Sequence, residues 1–230
     1  MGFSTHKTMA LVGAVAVVAG LGLTTPAYAA PPPSRPAPLA KSLLTTHDVP
    51  HGYVPGEAGN IRRMLGAALA AHRPGADPCA AGRPAPRPAP AAGRSAIAVF
   101  LHPEKGTVLA EALADTGEET AADLVAAAGT MLAKCPVVTT ADGRLEIEPS
   151  RWNPPLGDES ITLGLRFGWD EPASRPALRG RMALVAYRNL VLIVGLIGIG
   201  EPDERDLKRV VRAAVRKLVL TSGISVKERT

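Results

Sequence analysis

The chain has 230 residues, a formal net charge of +5 and 46% hydrophobic residues, with 3% aromatic residues. This length fits one domain with a hydrophobic core once the N-terminal segments are set aside. The basic residues are spread along the chain instead of forming blocks, so the charge does not indicate sequence-specific nucleic-acid binding.

The N-terminus has the pattern of a secretory signal. A short basic segment ends at Lys7, an apolar run covers residues 9–23, and residues 27–29 read Ala-Tyr-Ala, which suits signal peptidase. Residues 1–29 are therefore predicted to be a signal peptide. An uncleaved anchor is the alternative, but a membrane span needs about 20 apolar residues and this run is shorter. We expect a secreted, extracellular protein of the cell envelope, with no membrane span after cleavage.

Proline-rich stretches divide the rest of the chain. Residues 30–40 are predicted to be a semi-rigid linker, because proline lacks a backbone donor and fixes its own dihedral angle. One domain is predicted over residues 41–222, with a second proline-rich stretch at 83–93 forming an exposed loop. Residues 223–230 are predicted to be a C-terminal tail.

The segment LLTTHDVPHGY at residues 43–53 places His47 and His51 four residues apart, as in H-E-x-x-H zinc sites. Pro50 disfavours the continuous helix that such a site needs. No third ligand is evident, so we predict a short helical turn with both histidines at the surface and no metal site.

The middle of the chain alternates between helical and strand patterns. An amphipathic helix is predicted at residues 58–72. Runs at 97–101 and 107–114 favour a hairpin, although the alanines of the second run would also suit a helix. Another helix is predicted to begin at a capping box over residues 116–119 and to direct Cys135 into the core.

After Pro136 the apolar pattern changes to the period of two that is typical of strands. Strands are predicted at residues 137–140, 144–148, 161–169, 181–188 and 190–199. The strand at 161–169 is predicted to have one face buried and one face wet. The run at 190–199 is too short for a membrane span and suits a central strand.

A last amphipathic helix is predicted to begin near residue 201. Its predicted buried stripe is Leu207, Val210, Val211, Ala214 and Leu218. Its basic residues fall on other faces and are Arg205, Lys208, Arg209, Arg212 and Arg216.

The two cysteines, Cys79 and Cys135, have one possible connectivity. In an oxidising compartment this predicts a disulfide, whereas zinc would need further ligands at suitable spacing. The predicted fold class is α+β: an antiparallel β-sheet covered by helices, with a C-terminal amphipathic helix and one disulfide.

The order of these parts resembles the PknH-like extracellular sensor domain of actinobacteria. The residues that carry the resemblance are Leu43-Leu44-Thr45, Asp48-Val49-Pro50, Gly52-Tyr53, Cys79, Cys135, Leu156-Gly157-Asp158-Glu159-Ser160 and the helix from Asp203. The resemblance covers roughly residues 41–220 and implies a helix-covered antiparallel sheet with a cleft that binds an unidentified ligand. Unlike the kinase member, this sequence is expected to have no kinase domain and no membrane span, so only the binding role is carried over.

Several residues are candidates for chemistry, but none is assigned a catalytic or binding role. Ser160 would need a base from among His47, His51, His72 and His102, and no nucleophile elbow surrounds it. The scarce aromatic residues Tyr53, Trp152 and Trp169 are predicted to serve mainly in packing, although Trp152 lies in a loop and could line a cleft.

The function that the sequence favours is a secreted, non-catalytic domain that binds a small-molecule or envelope ligand, without a cofactor. Two alternatives stay open. One is a secreted hydrolase that uses Ser160 or a histidine, and the other is adhesion to an anionic envelope polymer through the basic flank of the last helix.

Overall fold

The computed structural model describes residues 39–57, 95–116, 118–140, 143–169 and 176–221. Within these ranges the chain forms a short 3-10 helix, eight β-strands and two α-helices. The bounds are the 3-10 helix Leu39–Ser42, β1 Val54–Pro55, β2 Ser95–His102, β3 Thr107–Asp115, α1 Glu118–Lys134, β4 Val137–Thr140, β5 Gly143–Pro149, β6 Glu159–Trp169, β7 Leu178–Tyr187, β8 Leu190–Gly198 and α2 Glu204–Thr221.

All eight strands belong to one antiparallel sheet in the order β1-β2-β3-β8-β7-β6-β5-β4. The connection through α1 carries the chain from β3 to the edge strand β4. Strands β4 to β8 then return as a meander, and β8 completes the sheet by pairing with β3. The two central strands, β7 and β8, therefore have a paired neighbour on each side.

The two helices pack on opposite faces of the sheet. On β7, Met182 and Leu184 belong to the apolar cluster around α1, whereas Ala183 and Val185 belong to the cluster around α2. This alternation follows from the period of two along a strand. The central strands thus have an apolar layer on each face, which explains why β8 is apolar throughout.

Helix α2 is defined by its cap and its buried stripe. Asp203 Oδ1 accepts the backbone N–H of Arg205 at 2.8 Å, as an N-cap residue does. The five residues predicted for the stripe are all buried, which confirms the prediction: Leu207, Val210, Val211, Ala214 and Leu218.

The predicted fold class is wrong as stated. The α+β prediction assumed comparable contributions from helices and strands. The described chain is instead mostly one eight-stranded antiparallel sheet with two α-helices. The alanine-rich segment at 107–115 is a strand because β2 and β8 pair with both of its edges. No disulfide can be described, because Cys135 is the one cysteine in the described ranges and its predicted partner Cys79 lies outside them. The pairing of Cys79 with Cys135 stays a prediction.

Two local predictions also need correction. Thr116 Oγ1 finds no hydrogen-bond partner among the described residues, so Thr116 does not act as the predicted helix cap. The Thr116 amide instead donates to the Asn189 carbonyl at 2.8 Å. The second face of β6 is not fully wet, because Thr162 and Gly164 are buried there. Strand β1, with two residues, is too short to show any periodicity.

Several predicted features lie outside the described residues: the signal peptide at 1–29, the helix at 58–72, the loop at 83–93, Cys79 and the tail at 223–230. So does most of the linker, although its last two residues belong to the 3-10 helix. No helix in the described part of the chain is both long and apolar enough to cross a membrane.

Candidate functional site

The outward side of α2 carries a row of arginines, which we call the arginine face: Arg205, Arg209, Arg212 and Arg216. Spacings of four, three and four residues at 3.6 residues per turn keep them within about 60° around the helix axis. The buried stripe of α2 lies on the opposite side, against the sheet. The packing of one side of the helix therefore exposes all four guanidinium groups.

The arginine face lines an open groove of about 500 Å³, together with Lys208, Ala213 and Asp48. None of the four arginines forms an ion pair with an acidic side chain in the described part of the chain. Like charges at these spacings destabilise a helix by roughly 0.2–0.5 kcal/mol per pair. The groove thus presents concentrated positive charge that the described fold leaves unneutralised.

Neighbouring basic residues are, in contrast, neutralised. Arg181 contacts Glu201 at 2.9 Å and Glu204 at 3.1 Å, and Lys208 contacts Glu204 at 2.5 Å. Arg179 also pairs with Glu201 at 2.9 Å and, with burial opposing it, holds the pKa of that carboxyl below its ordinary value. This network fixes the first turn of α2 to strand β7. Its basic residues are paired with carboxylates, whereas the arginines of the arginine face are not, in the described part of the chain.

Asp48 is the acidic residue that lines the groove, but its carboxylate is engaged. Asp48 Oδ2 accepts hydrogen bonds from the amide and the hydroxyl of Thr45 and from Lys217 Nζ, all at 2.7 Å. Partial burial opposes ionisation, yet the bonds from Lys217 and Thr45 outweigh it and hold the pKa of Asp48 below its ordinary value. Asp48 therefore serves to join the 45–48 turn to α2.

Glu111 lies buried beneath this junction. Glu111 lies on the same face of β3 as Leu109 and Leu113, and all three side chains are fully buried. Its Oε2 accepts the Leu44 amide at 2.6 Å, whereas its Oε1 has no hydrogen-bond partner among the described residues. Burial raises the pKa of Glu111 to about 7, against the opposing effects of the Leu44 amide and Lys217.

The arginine face has a clear signal in the sequence, whereas Glu111 has a weaker one. The basic residues at 205–216 stand out as a row away from the apolar stripe. The signal for Glu111 is a carboxylate in phase with two leucines on a strand. The 45–48 turn meets Lys217 only through tertiary packing, and no local pattern indicates that contact.

Ser160 makes structural hydrogen bonds to the loop that precedes β6. Its hydroxyl donates to the Pro154 carbonyl at 2.6 Å and accepts the Leu156 amide at 3.4 Å. No histidine is among its hydrogen-bond partners in the described part of the chain. Ser160 therefore holds this loop against the strand.

The neighbouring Gly157 and Asp158 complete this turn. Gly157 has a φ of 66°, and a Cβ there would lie 2.1 Å from the Ala186 carbonyl oxygen. Asp158 Oδ2 accepts the Arg188 amide at 2.6 Å, where Arg188 itself has a φ of 55°. The Leu-Gly-Asp-Glu-Ser motif thus fastens the loop to the β7–β8 hairpin.

The histidines do not converge. His47 and His51 are exposed, as predicted, in turns and not on a common helix. His102 is buried and packs edge-on against Tyr53, with ring centroids 5.1 Å apart. His72 lies outside the described residues. Among the residues that the structure describes, no group of three or more His, Cys, Asp and Glu side chains is placed to hold a metal ion.

The two tryptophans are half-buried packing residues. Trp169 stacks edge-on against Phe167 at 4.8 Å, and its Nε1 donates to the Pro176 carbonyl at 3.3 Å. Trp152 packs against the α2 core, and Lys208 Nζ lies 5.6 Å from its ring centroid. Trp152 supports the edge of the groove but is not among the residues that line it.

No family model and no curated protein sequence matches the chain. Among solved structures, the extracellular domain of PknH from Mycobacterium tuberculosis is similar over 58% of this chain and 68% of that chain, with 14% identity and a TM-score of 0.39. CalU16 from Micromonospora echinospora is similar over 55% of this chain and 96% of that chain, with 8% identity and a TM-score of 0.24. Both TM-scores are too low to establish a shared fold, so the family resemblance in the sequence stays a prediction.

Proposed function

We propose that the protein is a secreted, non-catalytic domain that binds an anionic ligand at the cell envelope through the arginine face of α2. The observation that carries the proposal is the row of four exposed guanidinium groups without acidic partners in the described structure. Secretion rests on the predicted signal peptide at 1–29. The PknH-like resemblance of the sequence supports a binding role.

The chemistry of arginine suits this role. A guanidinium group stays charged at all relevant pH values and presents a fork of donors that matches phosphate, sulfate and carboxylate oxygens. Where such a group has no internal partner, an external anion gains both charge neutralisation and hydrogen bonds. The groove is open to solvent, so an external anion can reach the guanidinium groups.

The test compares two charge-matched double variants by titration calorimetry with dextran sulfate, using neutral dextran as the ligand control. Arg209→Gln with Arg212→Gln is expected to weaken binding roughly tenfold or more, since a hydrogen bond to a charged group contributes about 1.5–3 kcal/mol. Arg144→Gln with Arg166→Gln removes the same charge from residues that pair with Glu146 outside the groove.

This control is expected to bind nearly as the unmodified protein does. Equal weakening in both double variants would mean that net charge alone governs binding, and it would overturn the proposed site. No binding of dextran sulfate at low salt would overturn the proposed function itself.

A further inference from the structure

We propose, building on the proposed function, that the ligand is a linear polyanion that lies along α2, with oxyanion groups repeated at the spacing of the arginine face. Arg216 follows Arg205 by eleven positions, which is about 16.5 Å along the axis at 1.5 Å per residue. A small anion can contact two neighbouring guanidinium groups, but it cannot use the whole row. The arrangement therefore matches a ligand that extends along the helix axis.

The spacing within the row is also regular. Successive arginines are separated along the axis by about 6, 4.5 and 6 Å. An extended polymer with one charged group per short repeat can place successive oxyanions beside successive guanidinium groups. Such binding gains avidity, because each further contact is made by a ligand that is already held nearby.

The groove favours a polymer over a membrane surface. A helix that lies on a membrane buries an apolar face among the lipids. The apolar stripe of α2 is instead packed against the sheet, and Ala213 is the one apolar residue that lines the groove in the described structure. Among the described residues of α2, Leu220 is the one exposed large apolar side chain, and it lies in the last turn of the helix.

The groove also lacks what single-stranded nucleic acids use. Such sites combine positive charge with aromatic rings on which bases stack. No aromatic side chain of the described residues lines this groove, and Trp152 packs into the core beside Lys208. Phosphate polymers and carboxylate polymers share the chemistry that the arginines recognise, so both belong in the test.

The experiment measures the affinity of the whole purified protein for orthophosphate, tripolyphosphate and long-chain polyphosphate, with polyglutamate as the carboxylate polymer. Inositol hexakisphosphate serves as a compact anion of high charge. We expect affinity to increase at least tenfold from tripolyphosphate to the long chain. We also expect the long chain to bind more tightly than the compact hexakisphosphate. The tighter of polyphosphate and polyglutamate identifies the kind of oxyanion.

Two variants make the geometry testable. Removing the ends of the row, by Arg205→Gln with Arg216→Gln, is expected to weaken long-chain binding by a larger factor than tripolyphosphate binding, because the short anion still finds the neighbouring pair Arg209 and Arg212. Removing the centre, by Arg209→Gln with Arg212→Gln, is expected to weaken both. Circular dichroism and the melting temperature check that each variant is folded.

The outcomes separate this inference from the proposed function. If no anion binds, the proposed function fails and the inference fails with it. If anions bind at the arginine face with no dependence on length, or if the compact anion binds more tightly, the inference alone is overturned. Tighter binding to vesicles of mixed anionic and zwitterionic phospholipid, or to a single-stranded oligonucleotide than to polyphosphate, would also overturn it.

Discussion

Glu111 is a carboxyl group placed in the apolar layer between the sheet and α2. One of its oxygens is bonded to the Leu44 amide, and the other is buried without a partner among the described residues. Ionising such a group in the folded state costs more than ionising it in the unfolded chain. The residue therefore makes the stability of the domain depend on pH.

The direction of this dependence follows from the pKa of Glu111, which burial raises from 4.5 to about 7. Between these values the folded state holds the proton and the unfolded state does not, so stability falls as pH rises through this window. Above about pH 7 both states are ionised and the loss is complete. Its magnitude is up to about 3 kcal/mol.

Glu111→Gln is expected to remove this part of the pH dependence, because glutamine resembles the protonated carboxyl at every pH. The variant should match the unmodified protein near pH 4 and exceed its free energy of unfolding at pH 8. Urea denaturation between pH 4 and 8 measures both, with the exposed Glu104→Gln as control. An unchanged slope in Glu111→Gln would contradict the role given to this carboxyl.

At the scale of residues, the sequence indicates which side chains are candidates for a functional site, but it does not indicate which residues they contact. The exposure of His47 and His51 follows from Pro50, which prevents a shared helix. The pairing of Asp48 with Lys217 joins residues 169 positions apart, and no local rule specifies it. Nothing in the periodicity of β3 indicates that Glu111 has one satisfied oxygen and one unsatisfied oxygen.

Helix α2 combines a stable inner side with an outer side that works against stability. Its five buried residues and its Asp203 cap anchor it to the sheet. The arginine face contributes several like-charge neighbours at three and four residues' spacing, each unfavourable by roughly 0.2–0.5 kcal/mol. A row that lowers stability and has no internal partner in the described chain is expected to serve binding.

This cost leads to a prediction for the ligand-free protein. Arg209→Gln with Arg212→Gln is expected to raise the free energy of unfolding by about 0.5–1 kcal/mol at low salt, since it removes repulsion and keeps helix-forming residues. The gain should shrink as salt screens the charges. Urea denaturation at two salt concentrations measures it, and a loss of stability in the variant would show that these arginines support the fold.

Elements with strong local patterns were predictable, and those that depend on distant partners were not. The period of 3.6 placed the buried stripe of α2 correctly, and the period of two placed β6, β7 and β8 within a few residues. Strand β1 has two residues and exists because β2 offers it an edge. The second face of β6 was predicted to be wet, but Thr162 is buried there.

At the scale of the whole molecule, the sheet brings distant parts of the chain together beneath one helix. Strand β8 pairs with β3 and β7, so residues near 110 and residues near 190 share the layer under α2. The 45–48 turn then joins this layer through Asp48 and Lys217. The sequence predicts antiparallel hairpins, but it does not predict this strand order, because pairing between β3 and β8 is decided by burial of both faces.

The same strand order explains why strands predominate in the described part of the chain. Two helices are enough to cover the apolar faces of the central strands in the described structure, one on each side. The outer strands carry charged side chains such as Arg144, Glu146 and Arg166, which pair with one another in solvent. A wide sheet with wet outer strands needs less helical cover than a fully apolar sheet would.

The central claim is that the arginine face binds linear anions, and NMR of the arginine side chains tests it most directly. The Nε–Hε signals of the purified protein are followed during titration with long-chain polyphosphate. We expect shifts at Arg205, Arg209, Arg212 and Arg216, with Arg144 and Arg166 unchanged. Shifts spread evenly over all exposed arginines, or none at the arginine face, would contradict the claim.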